Sequence, residues 1–387
     1  MKAIINGKII LPNEIVENKI LLFDNKILNI CDSIPREYEY VEIIDAKGKY
    51  VSPGLIDIHI HGNVGYDFMN TSLFENTKIE KSIASKGVTG YLMTTMTMSK
   101  EKIHSALKSA RFNINNKNEN VLGAKPLGVH LEGPFLNEIY KGAQDPDFII
   151  APSFELIEEY KDIIKVITYA PEKDINLEFT KYIRDNTDIV LSMGHTNATY
   201  DEAVEAFSSG AKHATHLFNA MTGLNHRNPG VVGACLLNDG FKCELIVDNI
   251  HFNKDLCKLI VKSKKLEDII LVTDAMEAGN MPDGTYSIGG HPVKVESGSA
   301  RLVSNGALAG SVLNLNTAVK NFYENTSLKL NEVIQLASLN PAKSLGLDAL
   351  KGSLEVGKDA DIVIFDETME CYMTFVEGEA VYKKINL

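Results

Sequence analysis

The sequence has few cysteines, and none of the cysteine spacings that mark a disulfide framework or a zinc knuckle. There are five, an odd number, and no two of them form a Cys-x-x-Cys pair. They are scattered along the chain as Cys31, Cys235, Cys243, Cys257 and Cys371. This pattern is typical of free thiols in a reducing compartment and argues against a disulfide-rich secreted protein.

Long apolar runs are also missing. No stretch approaches the ~20 apolar residues that a membrane span requires. The residues after Met1 lead directly into short β-rich runs and lack the pattern of a signal peptide. We therefore expect a soluble cytoplasmic protein that does not associate with membranes.

Positive charge is scarce. The chain has 39 Lys and Arg against 51 Asp and Glu, which gives a net charge of −12, and its basic residues form no cluster. Nucleic acid is therefore not an expected partner, nor is an anionic membrane. An anionic small substrate is compatible with this balance only if cations placed locally hold it.

The spacing of apolar residues changes along the chain. Residues 1 to about 50 contain short β-rich runs separated by turn signals. From Gly54 onward, strand-like and amphipathic helical segments alternate through eight repeats, which predicts a (β/α)8 barrel of the TIM type. The predicted barrel strands are Leu55–His59, Thr89–Thr95, Leu127–Leu131, Val166–Tyr169, Ile189–Met193, His213–Leu217, Glu244–Val247 and Ile269–Val272.

Two further segments complete the predicted architecture. The Gly- and Ser-rich stretch Gly279–Gly306 predicts a hairpin insertion after the eighth strand. The segment Gly352–Phe365 returns to short strands and turns, which predicts that the C-terminus completes the N-terminal β unit. We therefore expect a small discontinuous β-sandwich domain, 1–52 plus 348–387, and a barrel domain, 53–347.

Two histidines at the end of the first barrel strand form half of a possible metal site. The apolar run that begins at Val51 ends in His59 and His61, one residue apart. Alternate residues of a strand share a face, so both imidazoles point the same way. Two core histidines beside a turn are the alternative interpretation.

Other predicted strands end in residues of the same kind. Active sites of such barrels lie where the strands end, and there the chain carries further metal-ligating types: Glu132, His195, His216 and Asp274. Burying these groups together without a cation would be costly. Imidazole and carboxylate ligands suit a divalent metal, namely Zn²⁺, Fe²⁺, Mn²⁺ or Co²⁺. The sequence thus predicts a divalent metal site at this rim.

Several motifs resemble the amidohydrolase superfamily and, within it, the deacetylases that act on N-acetylglucosamine 6-phosphate. The His-x-His pair and the final aspartate are common to the superfamily. Two blocks are more specific to the deacetylases, Leu-Glu-Gly-Pro-Phe at 131–135 and His-Leu-Phe-Asn-Ala-Met at 216–221. The resemblance extends over essentially the whole chain. It implies hydrolysis of the acetamide to glucosamine 6-phosphate and acetate.

The resemblance also implies roles for the strand-end residues. Glu132, His195 and His216 would hold the principal metal, and Asp274 would be the general acid/base. Members with one metal replace the first-strand histidines by Gln and Asn and have a histidine in place of Gln144. This chain keeps His59, His61 and Gln144, so it resembles the branch with two metals bridged by the glutamate.

For the substrate, the resemblance implies that Arg227 and His251 bind the phosphate, one of them across the interface of a homodimer. A solvated Arg227 and a helix-capping His251 are the alternative. The usual Asp-Gly-x-His motif begins here with Asp248 and Asn249, a departure that bears on the local turn. The remaining residues expected at the substrate site are Ala143, Gln144, Asn219, Ala220, Asp248, Leu308, Ala309 and Gly310.

Two other functions stay open. One is another amidohydrolase reaction, on a cyclic amide or as a deamination. Cyclic-amide hydrolases often use a carboxylated lysine as the bridging ligand, whereas Glu132 stands in that place here. The other is a catalytically inactive barrel scaffold, which would have no use for the buried carboxylates.

Overall fold

The structure is a computed structural model that describes residues 1–36, 40–116 and 122–384. The N-terminal part consists of short strands that lie in two sheets. They are β1 (Lys2–Ile5), β2 (Lys8–Ile10), β3 (Ile15–Val16), β4 (Ile20–Phe23), β5 (Ile27–Cys31), β6 (Glu42–Asp45) and β7 (Tyr50–Pro53).

A parallel barrel follows. Strand β8 (Leu55–Ile60) leads into a short hairpin of β9 (Gly62–Asn63) and β10 (Tyr66–Asp67). Seven more barrel strands complete the eight in the described part of the chain: β11 (Val88–Thr94), β12 (Lys125–Glu132), β13 (Ile164–Tyr169), β14 (Val190–Met193), β15 (His213–Ala214), β16 (Lys242–Ile246) and β17 (Ile269–Val272).

Chain order is also the order of the strands around the barrel. A parallel bridge between Ile60 and Ala275 joins the last strand to the first and closes the sheet. Every residue of β8 is buried, as expected for a parallel strand whose outer face is covered by helices. The predicted (β/α)8 barrel is confirmed.

Helices cover the outside of the barrel. They are α1 (Leu73–Ala84), α2 (Lys100–Asn115), α3 (Phe154–Ile157), α4 (Glu178–Asn186), α5 (Tyr200–Ser209), α6 (Gly230–Leu237), α7 (Leu256–Ser263), α8 (Leu315–Asn325), α9 (Leu330–Leu336) and α10 (Leu339–Ser344). Residues at the N-terminus of a helix can specify where the helix begins. At α5, for example, the Thr199 hydroxyl accepts from the N–H of Glu202, whose carboxylate accepts from the Thr199 N–H, which is a capping box.

Between β17 and α8 lies the predicted insertion. It is an antiparallel sheet of β18 (Gly284–Ile288), β19 (His291–Glu296) and β20 (Ser299–Leu302). The prediction of strand hairpins at this point is confirmed. Ile288, the last residue of β18, reaches the mouth of the barrel.

The C-terminal strands β21 (Ile362–Phe365), β22 (Cys371–Val376) and β23 (Glu379–Lys383) join the N-terminal ones. Strand β21 pairs antiparallel with β7, so both chain ends share one sheet. Phe23 from the other sheet packs edge-on against Phe375, with ring centroids 5.3 Å apart. The two sheets thus enclose a core of their own, and the expected sandwich of both chain ends is confirmed.

We propose the domain division 1–52 plus 348–387 and 53–347 because this second core is separate from the barrel core. Residues 37–39 and 385–387 of the proposed small domain lie outside the described part. Within the described part, no helix is both long enough and apolar enough to cross a bilayer. The cysteines are free thiols, and four of the five are buried.

A buried ion cluster ties the C-terminal segment together. The ammonium group of Lys351 lies 2.7 Å from a carboxylate oxygen of Asp359 and 2.7 Å from one of Asp361. Lys26 reaches the other oxygen of Asp359 at 2.6 Å. Removing Lys351 would leave Asp361 buried without its cation, and a buried charge without its partner is strongly destabilising.

We therefore expect Lys351→Met to lower the free energy of unfolding by about 3–5 kcal/mol, measured by urea denaturation. Lys258→Met is the matched control, because the pair of Lys258 with Asp255 is exposed and such pairs contribute about 0–1 kcal/mol. Equal unfolding midpoints for the two variants would contradict the inference that Lys351 stabilises the fold by neutralising a buried carboxylate.

Candidate metal centre and active site

The six predicted metal-ligating residues meet at one end of the barrel. His59 lies in β8 and His61 directly follows it, while Glu132 is the last residue of β12. The other three lie just beyond the ends of β14, β15 and β17: His195, His216 and Asp274. The parallel strands bring these residues together because all of them end at the same rim.

Three of these residues have an unusual backbone conformation. The φ angles of His195, His216 and Asp274 are +48°, +33° and +49°, in the left-handed region that side chains other than Gly rarely adopt. Such a conformation costs of order 1–3 kcal/mol and concentrates at functional sites. At His216 the turn also ends β15 at Ala214, so the predicted strand His213–Leu217 is wrong beyond that residue.

Glu132, His195 and His216 form the first ligand group. The Nε2 atoms of the two imidazoles lie 3.1 Å apart, and each is 3.3 Å from Glu132 Oε1. Their Nδ1 atoms face backbone carbonyls, of Tyr140 at 2.8 Å and of Asn219 at 3.1 Å. Each Nδ1 therefore carries the hydrogen, which leaves both Nε2 lone pairs directed at one point beside the carboxylate.

His59, His61 and Asp274 form the second group. Asp274 Oδ1 lies 3.2 Å from Nε2 of His61 and 3.5 Å from Nε2 of His59. Both imidazoles also approach Glu132, with His61 Nε2 at 3.2 Å from Oε2 and His59 Nε2 at 3.4 Å from Oε1. Glu132 therefore lies between the two groups and contacts both.

The imidazoles and carboxylates of the centre shift one another's pKa values, so that each charge form stabilises the other. Burial alone would lower the pKa of His61, but hydrogen bonds to Asp274 and Glu132 outweigh burial and raise it to about 9. Burial would raise the pKa of Asp274, yet the charge of His59 holds it at about 2. Positive charge is stabilised here, whether it arrives as protons or as a metal ion.

The residues present fit a divalent cation. His59 Nε2 is fully buried and makes no hydrogen bond within the described residues, although it points at two carboxylates. A cation between these groups would satisfy that lone pair and would neutralise Glu132 and Asp274 together. The donor set is imidazole nitrogen and carboxylate oxygen, which suits Zn²⁺ and similar transition metals.

A cavity of about 290 Å³ opens directly above this centre. Its walls contain several residues expected at a substrate site: Ala143, Gln144, Asn219, Ala220, His251, Leu308, Ala309 and Gly310. Six wall residues were not predicted from the sequence: Met96, Ile139, Tyr140, Gly142, Ile246 and Ile288. They are ordinary apolar or aromatic residues of loops and strand ends, and nothing in the sequence distinguishes them.

Gln144 lies at the wall but is engaged with protein groups. Its Nε2 donates to Glu132 Oε2 at 2.6 Å, and its Oε1 accepts from the Thr97 N–H at 2.7 Å. The same Nε2 lies 3.7 Å from the sulfur of Met96. In this structure Gln144 orients the glutamate that lies between the two ligand groups.

His251 and Asp248 act as a pair. Asp248 Oδ2 accepts from His251 Nδ1 at 2.7 Å, which turns the opposite side of the imidazole to the cavity. Asn249 between them has a φ of +63°, a conformation that Asn tolerates better than other residues with a side chain. Asn249 therefore forms the turn that the usual glycine would form.

The structure does not bring Arg227 into this cavity. Arg227 is exposed, in an exposed loop before α6, and its backbone N–H donates to Asn225 Oδ1 at 3.0 Å. It is absent from the described cavity wall. Within one copy of the chain, Arg227 therefore does not contribute to the cavity wall.

Sequence reasoning missed Glu244, which lies behind the second ligand group. Its Oε2 is 2.9 Å from Nδ1 of His59, and both side chains are completely buried. The signal was present in the sequence, since Glu244 is the one charged residue in the otherwise apolar run from Cys243 to Val247.

Comparisons with known proteins agree with this geometry. The model of the amidohydrolase family matches residues 50–381. N-acetylglucosamine-6-phosphate deacetylase of Bacillus subtilis is 38% identical, over 97% of this chain and 95% of that protein. N-acetylgalactosamine-6-phosphate deacetylase of Escherichia coli O157:H7 is 35% identical, over 92% of this chain and 94% of that protein.

The fold is likewise similar to a solved structure. The crystal structure of N-acetylglucosamine-6-phosphate deacetylase from Pasteurella multocida matches with a TM-score of 0.90 and 32% identity, covering 98% of this chain and 99% of that one. With the family model matching well over half of its length, the chain belongs to the amidohydrolase family.

Proposed function

We propose that the protein hydrolyses the acetamide of N-acetyl-D-glucosamine 6-phosphate to D-glucosamine 6-phosphate and acetate, a step of amino-sugar catabolism. The observation that carries this proposal is the convergence of Glu132 and four imidazoles beside Asp274, at the floor of a cavity. The likeness to whole deacetylases supports the same reaction. The glutamate that stands between the ligand groups also argues against hydrolases that bridge their metals with a modified lysine.

The cofactor is proposed to be a divalent metal, Zn²⁺, Fe²⁺, Mn²⁺ or Co²⁺. Glu132, His195 and His216 would hold the principal ion, and His59, His61 and Asp274 a second one. When bound, such a cation lowers the pKa of water from about 16 towards ~7, which supplies hydroxide at neutral pH, and it polarises the acetyl carbonyl.

Asp274 would move the proton. Its carboxylate oxygen lies 3.2 Å from Nε2 of His61, at the floor of the cavity, where it can accept a proton from the attacking water. It then delivers that proton to the nitrogen of the leaving amine as the carbon–nitrogen bond breaks. Its backbone N–H donates to the His59 carbonyl at 2.8 Å, which fixes the carboxylate beside the ligands.

The phosphate needs positive charge at the cavity mouth. Of the described wall residues, His251 is the one potential cation outside the ligand groups. A phosphate is bound best by charge-assisted hydrogen bonds from more than one donor. We propose that the protein is a homodimer in which Arg227 of each copy reaches the cavity of the other.

The scattered free thiols support placing this reaction in a reducing compartment, the cytoplasm.

An acetate-release assay on metal-loaded protein tests the reaction itself. N-acetylglucosamine 6-phosphate should yield one acetate and one amino-sugar phosphate per turnover. N-acetylgalactosamine 6-phosphate and unphosphorylated N-acetylglucosamine, run in parallel, should be poorer substrates. Faster turnover of the galactosamine epimer would reassign the sugar, and no acetate from any of the three would refute a deacetylase.

Asp274→Asn tests the proton transfer. The amide is nearly isosteric but cannot accept a proton, so kcat should fall by about 10²–10⁴-fold. The ion held by Glu132, His195 and His216 should stay bound, as metal analysis of the purified variant will show. Turnover at the wild-type rate would refute this role for Asp274.

The metal assignment is tested by the stoichiometry of ligand variants. His195→Ala or His216→Ala should remove the principal ion, because each takes away one of three ligands. The double variant His59→Ala with His61→Ala should lose at most the second ion. A double variant without any metal would instead assign the essential ion to the first-strand histidines.

Arg227→Ala tests phosphate recognition. Losing one charged partner of a phosphate costs about 1.5–3 kcal/mol, so kcat/KM for the phosphorylated sugar should fall roughly 10- to 150-fold, mostly through KM. The slow reaction with free N-acetylglucosamine should hardly change. Equal loss on both sugars would mean that Arg227 supports the fold or the dimer.

A further inference from the structure

Glu244 is a buried carboxylate that the proposed reaction does not use. It lies in β16, on the wall of the barrel behind His59, and none of its surface is exposed. Its Oε2 accepts from Nδ1 of His59 at 2.9 Å. Its Oε1 has no hydrogen-bond partner among the described residues, so the imidazole of His59 is its one polar contact there.

The contact sets the tautomer of His59. With the hydrogen on Nδ1 and directed at Glu244, the lone pair of Nε2 faces Glu132 and Asp274. The ring of His130 packs edge-on against His59, with centroids 4.5 Å apart. His130 does not compete for Nδ1, because its own nitrogens face the Ile58 carbonyl and the Thr168 hydroxyl.

His59 differs in this respect from the other ligand histidines. Nδ1 of His195 and Nδ1 of His216 each donate to a neutral backbone carbonyl. Nδ1 of His59 donates to a carboxylate instead. A carboxylate behind a ligating imidazole fixes the ring and makes the opposite nitrogen a stronger ligand. The second ligand group thus has a support that the first group lacks.

The balance of charge in the buried cluster also favours a cation near His59. Glu132, Asp274 and Glu244 place three carboxylates within one buried cluster of histidines, and no lysine or arginine lines the described cavity wall. One divalent cation supplies two positive charges, fewer than the three negative ones. Further positive charge beside His59, the imidazole that contacts Glu244, offsets that deficit, and an ion held by the second ligand group would supply it.

We propose that Glu244 is the positioning residue of the second metal site, and that its contact with His59 sets the affinity of this site for its ion. The inference rests on the metal centre of the proposed function. It does not depend on which acetamide is hydrolysed.

Metal titration of Glu244→Gln tests the inference. Metal-depleted protein is dialysed against increasing Zn²⁺, and bound metal is counted by mass spectrometry. The amide can still accept from Nδ1 but has no charge. The Kd of the second ion should rise about 10–100-fold, while the Kd of the principal ion should stay at the wild-type value.

Glu80→Gln is the matched control. Glu80 is a half-buried carboxylate that accepts a hydrogen bond at 3.1 Å, from the hydroxyl of Tyr91, but it lies in α1 on the outside of the barrel. Its variant should bind both ions as the wild type does. Thermal unfolding of metal-free protein should be alike in Glu244→Gln and wild type, while the rise in Tm on adding Zn²⁺ should be smaller in the variant.

Three outcomes would overturn the proposal: wild-type affinity for both ions in Glu244→Gln, equal weakening of both ions, or a wild-type protein that binds a single ion. Should Glu244→Gln fail to fold, Glu244→Asp takes its place. Aspartate keeps the negative charge, but its side chain is one methylene shorter, so the carboxylate lies farther from His59. The Kd of the second ion should therefore still rise, and an unchanged Kd would contradict the proposal. The titration contains no substrate, so a protein that binds two ions but releases no acetate refutes the proposed function alone.

Discussion

The burial of Glu132 among four imidazoles is the constraint on which the rest of the structure depends. Its carboxylate oxygens lie 3.2–3.4 Å from the Nε2 atoms of His59, His61, His195 and His216. Such a cluster is stable only if positive charge is supplied, because buried carboxylates without partners are strongly disfavoured. A metal ion bound by these residues would supply that charge, and it would link the folding of the barrel mouth to metal binding.

The barrel holds these groups together against local strain. Residues His195, His216 and Asp274 adopt left-handed backbone conformations directly after their strands. Each is fixed by hydrogen bonds, for example from the N–H of Ser311 to the Asp274 carbonyl at 2.7 Å. After these turns the three side chains lie within the two ligand groups. The packing of the large barrel core offsets the free-energy cost of these backbone conformations.

Much of the fold and the ligand set could be predicted from the sequence, for a simple reason. Parallel strands end at one rim, so ligand-type residues after successive apolar runs must come close together. Glu244 was missed because it lies within its strand rather than at the end. Helix α6 carries no such signal, because its sequence is apolar on all sides and has no amphipathic period, as in buried helices. The position of Arg227 outside the cavity of its own chain could not be predicted. Arg227 lies in a loop, and the course of a loop leaves no periodic pattern in the sequence.

Anomalous diffraction from crystals of protein loaded with Zn²⁺ or Co²⁺ tests the central claim most directly. The account predicts a peak about 2.0–2.1 Å from the Nε2 atoms of His195 and His216. It predicts a second peak among His59, His61 and Asp274, with Glu132 contacting both ions. Density without any peak here, with Glu132 hydrogen-bonded to protonated imidazoles in metal-loaded crystals, would contradict the account.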